Sequence, residues 1–204
     1  MIYTYYDYLN KYQKVVTYLI ANASKKGFAF PYIQRAIAYS DTFSEFEKSN
    51  VTSIAFDSVE KIYLNIFGYQ DSFEADDYGI YGWIGYAYID LFLTYKVTFE
   101  LMFYVLPIEE MINKYPVYHE MSITQLRDVF QSRIRYSLLD ALLKAKQIST
   151  KRLAETSGVS ESTLRAIRYG SRNIDNLEFK SVIRIADTLN IKIESLTHLN
   201  LKLD

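Results

Sequence analysis

Three places in the chain carry residue types that could do chemistry. They are His119-Glu120, the acidic run holding Asp71, Glu74, Asp76 and Asp77, and the hydroxyl- and arginine-rich stretch from Ser149 to Arg172. The first invites a zinc or general-base reading. Zinc takes three or four protein ligands, yet no second His follows at helical spacing and His198 is the other His of the chain. The role expected of His119 is local, its ring bonding a neighbour and fixing the turn before Ser122. The acidic run invites calcium, but it lacks the alternating ligands and central Gly of an EF-hand loop. Tyr69 to Gly79 therefore reads as an exposed, solvated loop. With no Cys, thiol catalysis, disulfides and zinc–thiolate sites are ruled out, and a reducing cytoplasm is the expected setting. No nucleophile-plus-base set, phosphate-cradling Gly loop or pair of carboxylates stands out. The expectation is a non-enzymatic protein with no metal and no cofactor.

The third place belongs to a region of different composition. Residues 1–130 hold 10 Lys and Arg against 16 Asp and Glu, while residues 131–204 hold 13 against 8. Of the 20 Tyr, 18 precede residue 131, the others being Tyr136 and Tyr169. A net charge of −1 thus conceals an acidic, Tyr-rich body and a basic tail domain suited to a polyanion. The expected domains are residues 1–130, for partner binding or dimerisation, and residues 131–204, for DNA.

The elements that must position these groups are helices throughout. In the body, Tyr5, Tyr8, Leu9, Tyr12, Val15, Val16, Leu19 and Ala23 recur at helical spacing, with Asp7, Asn10, Lys11 and Lys14 turned outward. A second helix begins near Pro31 and runs through Ile33, Ala36 and Ile37. Thr42-Phe43-Ser44-Glu45 has capping-box form and should open a short helix. A further helix covers roughly Phe56 to Phe67, stopped by Gly68. Trp83 to Tyr95, Thr98 to Leu106 and Pro107 to Lys114 read as three closely connected helices, and another opens at about Ile123. The apolar segment from Trp83 to Pro107 carries Asp90, Lys96 and Glu100, so it reads as a buried helix pair rather than a membrane span. Met1-Ile2-Tyr3-Thr4-Tyr5 lacks the form of a signal peptide. No strand-like alternation occurs. Trp83, Tyr86, Tyr118 and His119 are candidates for a partner or ligand face, against the plainer reading of core aromatics with wet hydroxyls.

In the tail five short helices can be placed. Leu138, Leu139, Leu142 and Leu143 mark the first, and Ser149 caps the second, which carries Leu153 and Ala154. Gly158 makes a tight turn favouring positive φ, and Val159 plugs the helix crossing. Ser160 caps the third helix, with Leu164 and Ile167 inward and an exit at Gly170. The fourth is Leu177 to Leu189, with Val182, Ile183, Ala186 and Leu189 inward, and Ile191, Ile193 and Leu196 close the bundle. Two crossed helices with Ser160 at the mouth of the second aim that helix end outward, where it fits a major groove. Backbone N–H groups at each helix start suit phosphates. The alternative is a small helical bundle used for protein contact alone.

From Ile148 through Gly158-Val159-Ser160 to Arg172 the sequence resembles the Cro/repressor (XRE) helix-turn-helix family without a gap. The resemblance implies an all-α chain ending in a five-helix repressor-type domain that binds double-stranded DNA. It places Glu161, Ser162, Arg165 and Ala166 against base edges and Ser149, Thr150, Ser160, Tyr169 and Arg172 against phosphates. Arg165 can donate to guanine, Ala166 can meet a thymine methyl and Glu161 could accept from cytosine. Two departures stand out. Thr150 replaces the usual Gln, which shortens the reach to phosphate, and Arg168 replaces the usual Glu, so the internal ion pair of that Glu is expected to be lost. Arg168 is then a phosphate contact or a solvated charge.

Gly82-Trp83-Ile84-Gly85-Tyr86-Ala87-Tyr88 and Tyr115 to Gln125 resemble a helical domain preceding the helix-turn-helix in some regulators of Gram-positive bacteria. Genes of that group often neighbour ADP-ribosyltransferase-like toxins, which implies an antitoxin or toxin-linked autoregulator. The combined expectation is a cytoplasmic repressor, homodimeric on an inverted repeat. A toxin-neutralising protein and a peptide- or small-molecule-responsive regulator are the alternatives.

Overall fold

The computed structural model describes residues 5–48, 57–69, 79–134 and 137–197. The acidic run from Asp71 to Asp77, together with Tyr136 and His198, lies outside them. Among the described residues every regular element is a helix and no strand occurs. The chain forms two compact units, 1–123 and 124–204. The compositional boundary after residue 130 falls inside a helix of the second unit, because charge changes there while the chain stays helical.

Unit 1 is built around α1 (Tyr5–Lys25). From Val15 to Ala23 this helix is buried on all sides, which befits a central helix rather than one lying on a surface. Around it stand α2 (Phe30–Ala38), α3 (Asp41–Glu47), α4 (Val59–Phe67), α5 (Ile80–Tyr95), α6 (Phe99–Val105), α7 (Ile108–Asn113) and the single turn α8 (Tyr115–Tyr118). The tightest crossing joins α1 and α5. A Cβ on Gly85 would run into Thr17 Oγ1, with Gln13 O at 3.0 Å and Thr17 N at 3.1 Å, so only Gly lets the two backbones approach this closely.

Local side-chain caps open three of the helices of unit 1. Ser58 and Thr98 accept from Lys61 N and Leu101 N, and Gly68 ends α4 in the left-handed region. At α3 the cap is Ser40, whose Oγ accepts from Phe43 N at 3.3 Å, rather than Thr42. Starting two residues earlier sets Asp41 at the positive helix end and buries Phe43 and Phe46 on one face. Two starts are capped from afar. Glu47 Oε1 accepts from Phe99 N at 2.7 Å, and Gln34 Oε1 accepts from Ile108 N at 2.9 Å.

The apolar segment is broken at Lys96, whose φ of 53° turns the chain from α5 into α6. Of its charged residues Glu100 is buried, and its Oε1 accepts from Tyr39 Oη at 2.6 Å. Burial and that carboxylate push the Tyr39 phenol well up from its ordinary pKa. No described helix is long and apolar enough to cross a membrane. The core is aromatic: Tyr12 stacks on Phe46 at 3.5 Å, and Phe43, Phe92 and Phe99 pack around them. The hydroxyl of Tyr88 is not wet. It is buried and donates to Leu106 O at 2.6 Å.

Unit 2 contains α9 (Ile123–Arg133) apart from its first residue, α10 (Leu138–Ala145), α11 (Thr150–Ser157), α12 (Glu161–Arg168), a 3-10 turn (Ile174–Asn176), α13 (Phe179–Leu189) and α14 (Glu194–Thr197). Its core is Leu138, Leu139, Leu142, Leu143, Leu153, Leu164, Ile167, Val182, Ile185, Ala186, Leu189 and Leu196. On α13 the inward residue is Ile185 and not Ile183, which is half-buried. The helix also begins at Phe179 and not Leu177, because Leu177 is extended where it leaves the 3-10 turn.

Candidate nucleic-acid interface

Helices α11 and α12 are short, each opened by a serine. Ser149 Oγ accepts from Arg152 N at 3.1 Å, and Ser160 Oγ accepts from Thr163 N at 3.2 Å. The link between them needs Gly158, which ends α11 at φ 67°, a left-handed conformation that L side chains rarely adopt. Val159 follows, 8 % exposed, and the chain enters α12 at the exposed Ser160. Leu164 and Ile167 are buried, so helical geometry turns Glu161, Ser162 and Arg165 to the open side.

On that side Arg165 and Glu161 form a pair. Arg165 donates to Glu161 Oε1 through Nε at 3.0 Å and through Nη2 at 2.7 Å. This hydrogen bond pushes the arginine's pKa still higher. Ser162 is exposed, and its Oγ lies 3.1 Å from Ser160 Oγ. Ala166 is half-buried beside them. Tyr169 is 56 % exposed and its ring lies under the Arg168 guanidinium, 5.5 Å from Cζ to centroid. Arg172 is exposed and leans towards Asn176 O at 3.4 Å.

Thr150 and Arg168 stand differently from expectation. Thr150 is 6 % exposed, and its Oγ1 accepts from Arg168 Nη1 at 2.9 Å. Its hydroxyl therefore points inward, and what it can present outward is the backbone N–H of the first helical turn. Arg168 Nε donates to Asp140 Oδ1 at 2.8 Å, and Asp140 is 1 % exposed. Arg168 is thus neither a phosphate contact nor a solvated charge. The internal ion pair expected to be lost is present, with the arginine on α12 and the carboxylate on α10. Lys144 Nζ lies 2.6 Å from the other oxygen, an ion contact rather than an aligned hydrogen bond. The one available sequence signal was Asp140 itself, a charge inside Leu138-Leu139-Asp140-Ala141-Leu142-Leu143.

In unit 1 the aromatic candidates divide. Trp83 meets Tyr115 edge-on at 5.7 Å, and Tyr115 stacks on His119 at 4.4 Å. Tyr86 is 43 % exposed. Tyr118 is 5 % exposed and donates to Glu110 Oε1 at 2.9 Å, so it belongs to the interior and not to a surface. His119 Nδ1 lies 2.6 Å from Tyr115 O and Nε2 lies 2.8 Å from Glu120, so the ring ties down its own turn. No group of three potential metal ligands forms among the described residues.

Residues 139–200 match the family model of the Cro/C1-type helix-turn-helix DNA-binding domain. The matched segment runs from α10 to beyond α14 and contains every base- and phosphate-facing candidate. It supports a DNA-binding transcriptional regulator of the XRE type. The match spans 62 of the 204 residues and leaves unit 1 outside it. Neither a curated protein nor a solved structure matches the chain.

Proposed function

We propose that the chain is a sequence-specific repressor that binds an inverted repeat in double-stranded DNA as a homodimer. The observation that carries this is the open end of α12. Glu161, Ser162 and Arg165 stand together on the solvent side of a helix whose opposite face is fully packed. In this reading Arg165 and Ala166 meet base edges. Ser149, Ser160, Tyr169, Arg172 and the backbone N–H of Thr150 meet phosphates. Two copies are required because one such domain reads a half-site, and the pair must sit about one helical turn apart. No catalytic step is assigned.

The test is selection of duplexes from a randomised library by the full-length chain, followed by gel shifts on the enriched sequence. Recovery of a two-fold symmetric site bound at a 2:1 ratio supports the proposal. Binding that is equal on all duplexes at low salt removes it, since phosphate contacts alone produce that result.

A second reading concerns unit 1. Tyr32, Tyr39, Leu64, Tyr69, Tyr86 and Val117 are each at least 40 % exposed, and four of them are Tyr, a residue type that protein interfaces favour. With the resemblance to toxin-linked regulators, this supports an antitoxin that represses its own operon in the cytoplasm and binds an ADP-ribosyltransferase-like protein. Co-purification with the product of the adjacent gene tests it. Absence of a complex at micromolar concentration overturns it.

A further inference from the structure

A carboxylate at the mouth of a DNA-reading helix is a handicap, since it meets phosphates of its own sign. The fork geometry gives Glu161 a use. A guanidinium has a side-on fork, Nε with Nη2, and an end-on fork, Nη1 with Nη2. Glu161 Oε1 occupies the side-on fork at 3.0 and 2.7 Å. Three of the five N–H groups remain, and two of them, one on Nη1 and one on Nη2, form the end-on fork that can still meet guanine O6 and N7. Both residues sit on the exposed face, one turn of α12 apart.

We propose that Glu161 is a positioning residue that holds Arg165 for guanine and does not itself read a base. This rests on the DNA-binding reading above. Docking strips water from the pair and lowers the local dielectric, so an exposed contact that is weak in solution becomes directive in the complex. Glu161 acts in two ways at once. It restricts the rotamers of a long side chain so that the end-on fork faces the base edges. It also repels phosphates and occupies a cation that would otherwise seek them, which disfavours binding wherever guanine is missing. The pair converts a general phosphate ligand into a selective base reader.

The experiment compares the full-length wild type with Glu161→Gln, Glu161→Ala and Arg165→Ala by duplex selection, then by titration on the enriched and on random duplexes across a salt series. Wild type enriches a guanine in each half-site, and replacing that guanine with 7-deazaguanine weakens binding about tenfold. Arg165→Ala loses the preference. Glu161→Ala cuts the guanine preference to within about threefold, tightens binding to random duplex, and steepens the logarithmic salt slope by about one phosphate contact. Glu161→Gln keeps part of the preference, because an amide oxygen still accepts from the guanidinium, yet shares the tighter random binding. Equal loss on specific and random duplexes by Glu161→Ala overturns the inference. So does loss of a cytosine preference in place of guanine, which would make Glu161 a base reader. If wild type enriches no duplex, the DNA-binding reading itself has failed. Enrichment with unchanged preference in both Glu161 variants sinks this inference alone.

Discussion

Arg168 and Asp140 pair across α12 and α10 at 2.8 Å, with the carboxylate 1 % exposed and the guanidinium reaching on to Thr150 at 2.9 Å. One cation beneath the outward helix therefore ties it to both the first helix of the bundle and the start of α11. The polarity is the reverse of the Glu that usually occupies this position in the resembled family. What matters for holding α12 is that a buried charge has its opposite at hand, and either sign at either end satisfies that.

Removing Arg168 takes the hydrogen-bonded partner from the buried Asp140 and leaves it the Lys144 ion contact alone. Arg168→Met is expected to cost about 3 kcal/mol of stability, at the lower end of the range for broken buried pairs because the arginine keeps some solvent contact. Replacing both, as Asp140→Leu with Arg168→Met, should bring stability back to near wild type. Urea unfolding of the full chain measures both. Equal loss in single and double variants would show that the pair is not coupled.

Arg165 and Arg172 should separate readout from anchoring. Arg165→Ala is expected to weaken binding to the enriched site by about 5- to 100-fold while leaving random duplex little changed. Arg172→Ala should weaken binding to every duplex and flatten the salt slope by about one contact. Titrations on both duplexes across a salt series decide. Equal loss on both for Arg165→Ala would remove it from base readout.

At the α1–α5 crossing, Gly85→Ala should destabilise unit 1 by about 1–3 kcal/mol, since the new methyl meets Thr17 and backbone from α1. Thr17→Ala on top of it removes the side-chain part of the clash and should restore a portion. Thermal unfolding of the two variants measures it. An unchanged midpoint for Gly85→Ala would show that close approach at this crossing does not require Gly.

Tyr39→Phe removes a hydrogen bond to the buried Glu100 carboxylate and should cost about 1.5–3 kcal/mol, the range for bonds to charged groups. The raised Tyr39 pKa adds a sign. The neutral phenol is favoured in the folded state, so this stabilisation is full below pH 10 and is lost as pH rises beyond it. Chemical unfolding between pH 8 and 11 should show wild type losing ground against Tyr39→Phe.

Where information is local, the residues spoke clearly. Helix ends set by Gly68, Ser149, Gly158 and Ser160 lie where the side chains say, because a cap and the groups it serves are within one turn, whereas α4 begins at Val59 under Ser58 and not at about Phe56. Choices between adjacent local solutions were closer. Thr42 matches a capping pattern as well as Ser40, and Ile183 matches an inward position nearly as well as Ile185. Packing of Phe43 and Phe46 and the pitch of α13 settle them. Distance hid the rest. Asp140 and Arg168 are 28 positions apart, and nothing local announces that one receives the other or that Thr150 is drawn inward.

The distant caps of unit 1 also bear on the order in which it is made. Glu47 precedes Phe99 by 52 positions and Gln34 precedes Ile108 by 74. A nascent chain leaving the ribosome therefore completes each acceptor well before its donor emerges, and α6 and α7 can start against sites already built. Rearranging the gene so that 99–113 is translated first would reverse that sequence, leaving Phe99 N and Ile108 N without these partners until Glu47 and Gln34 have followed.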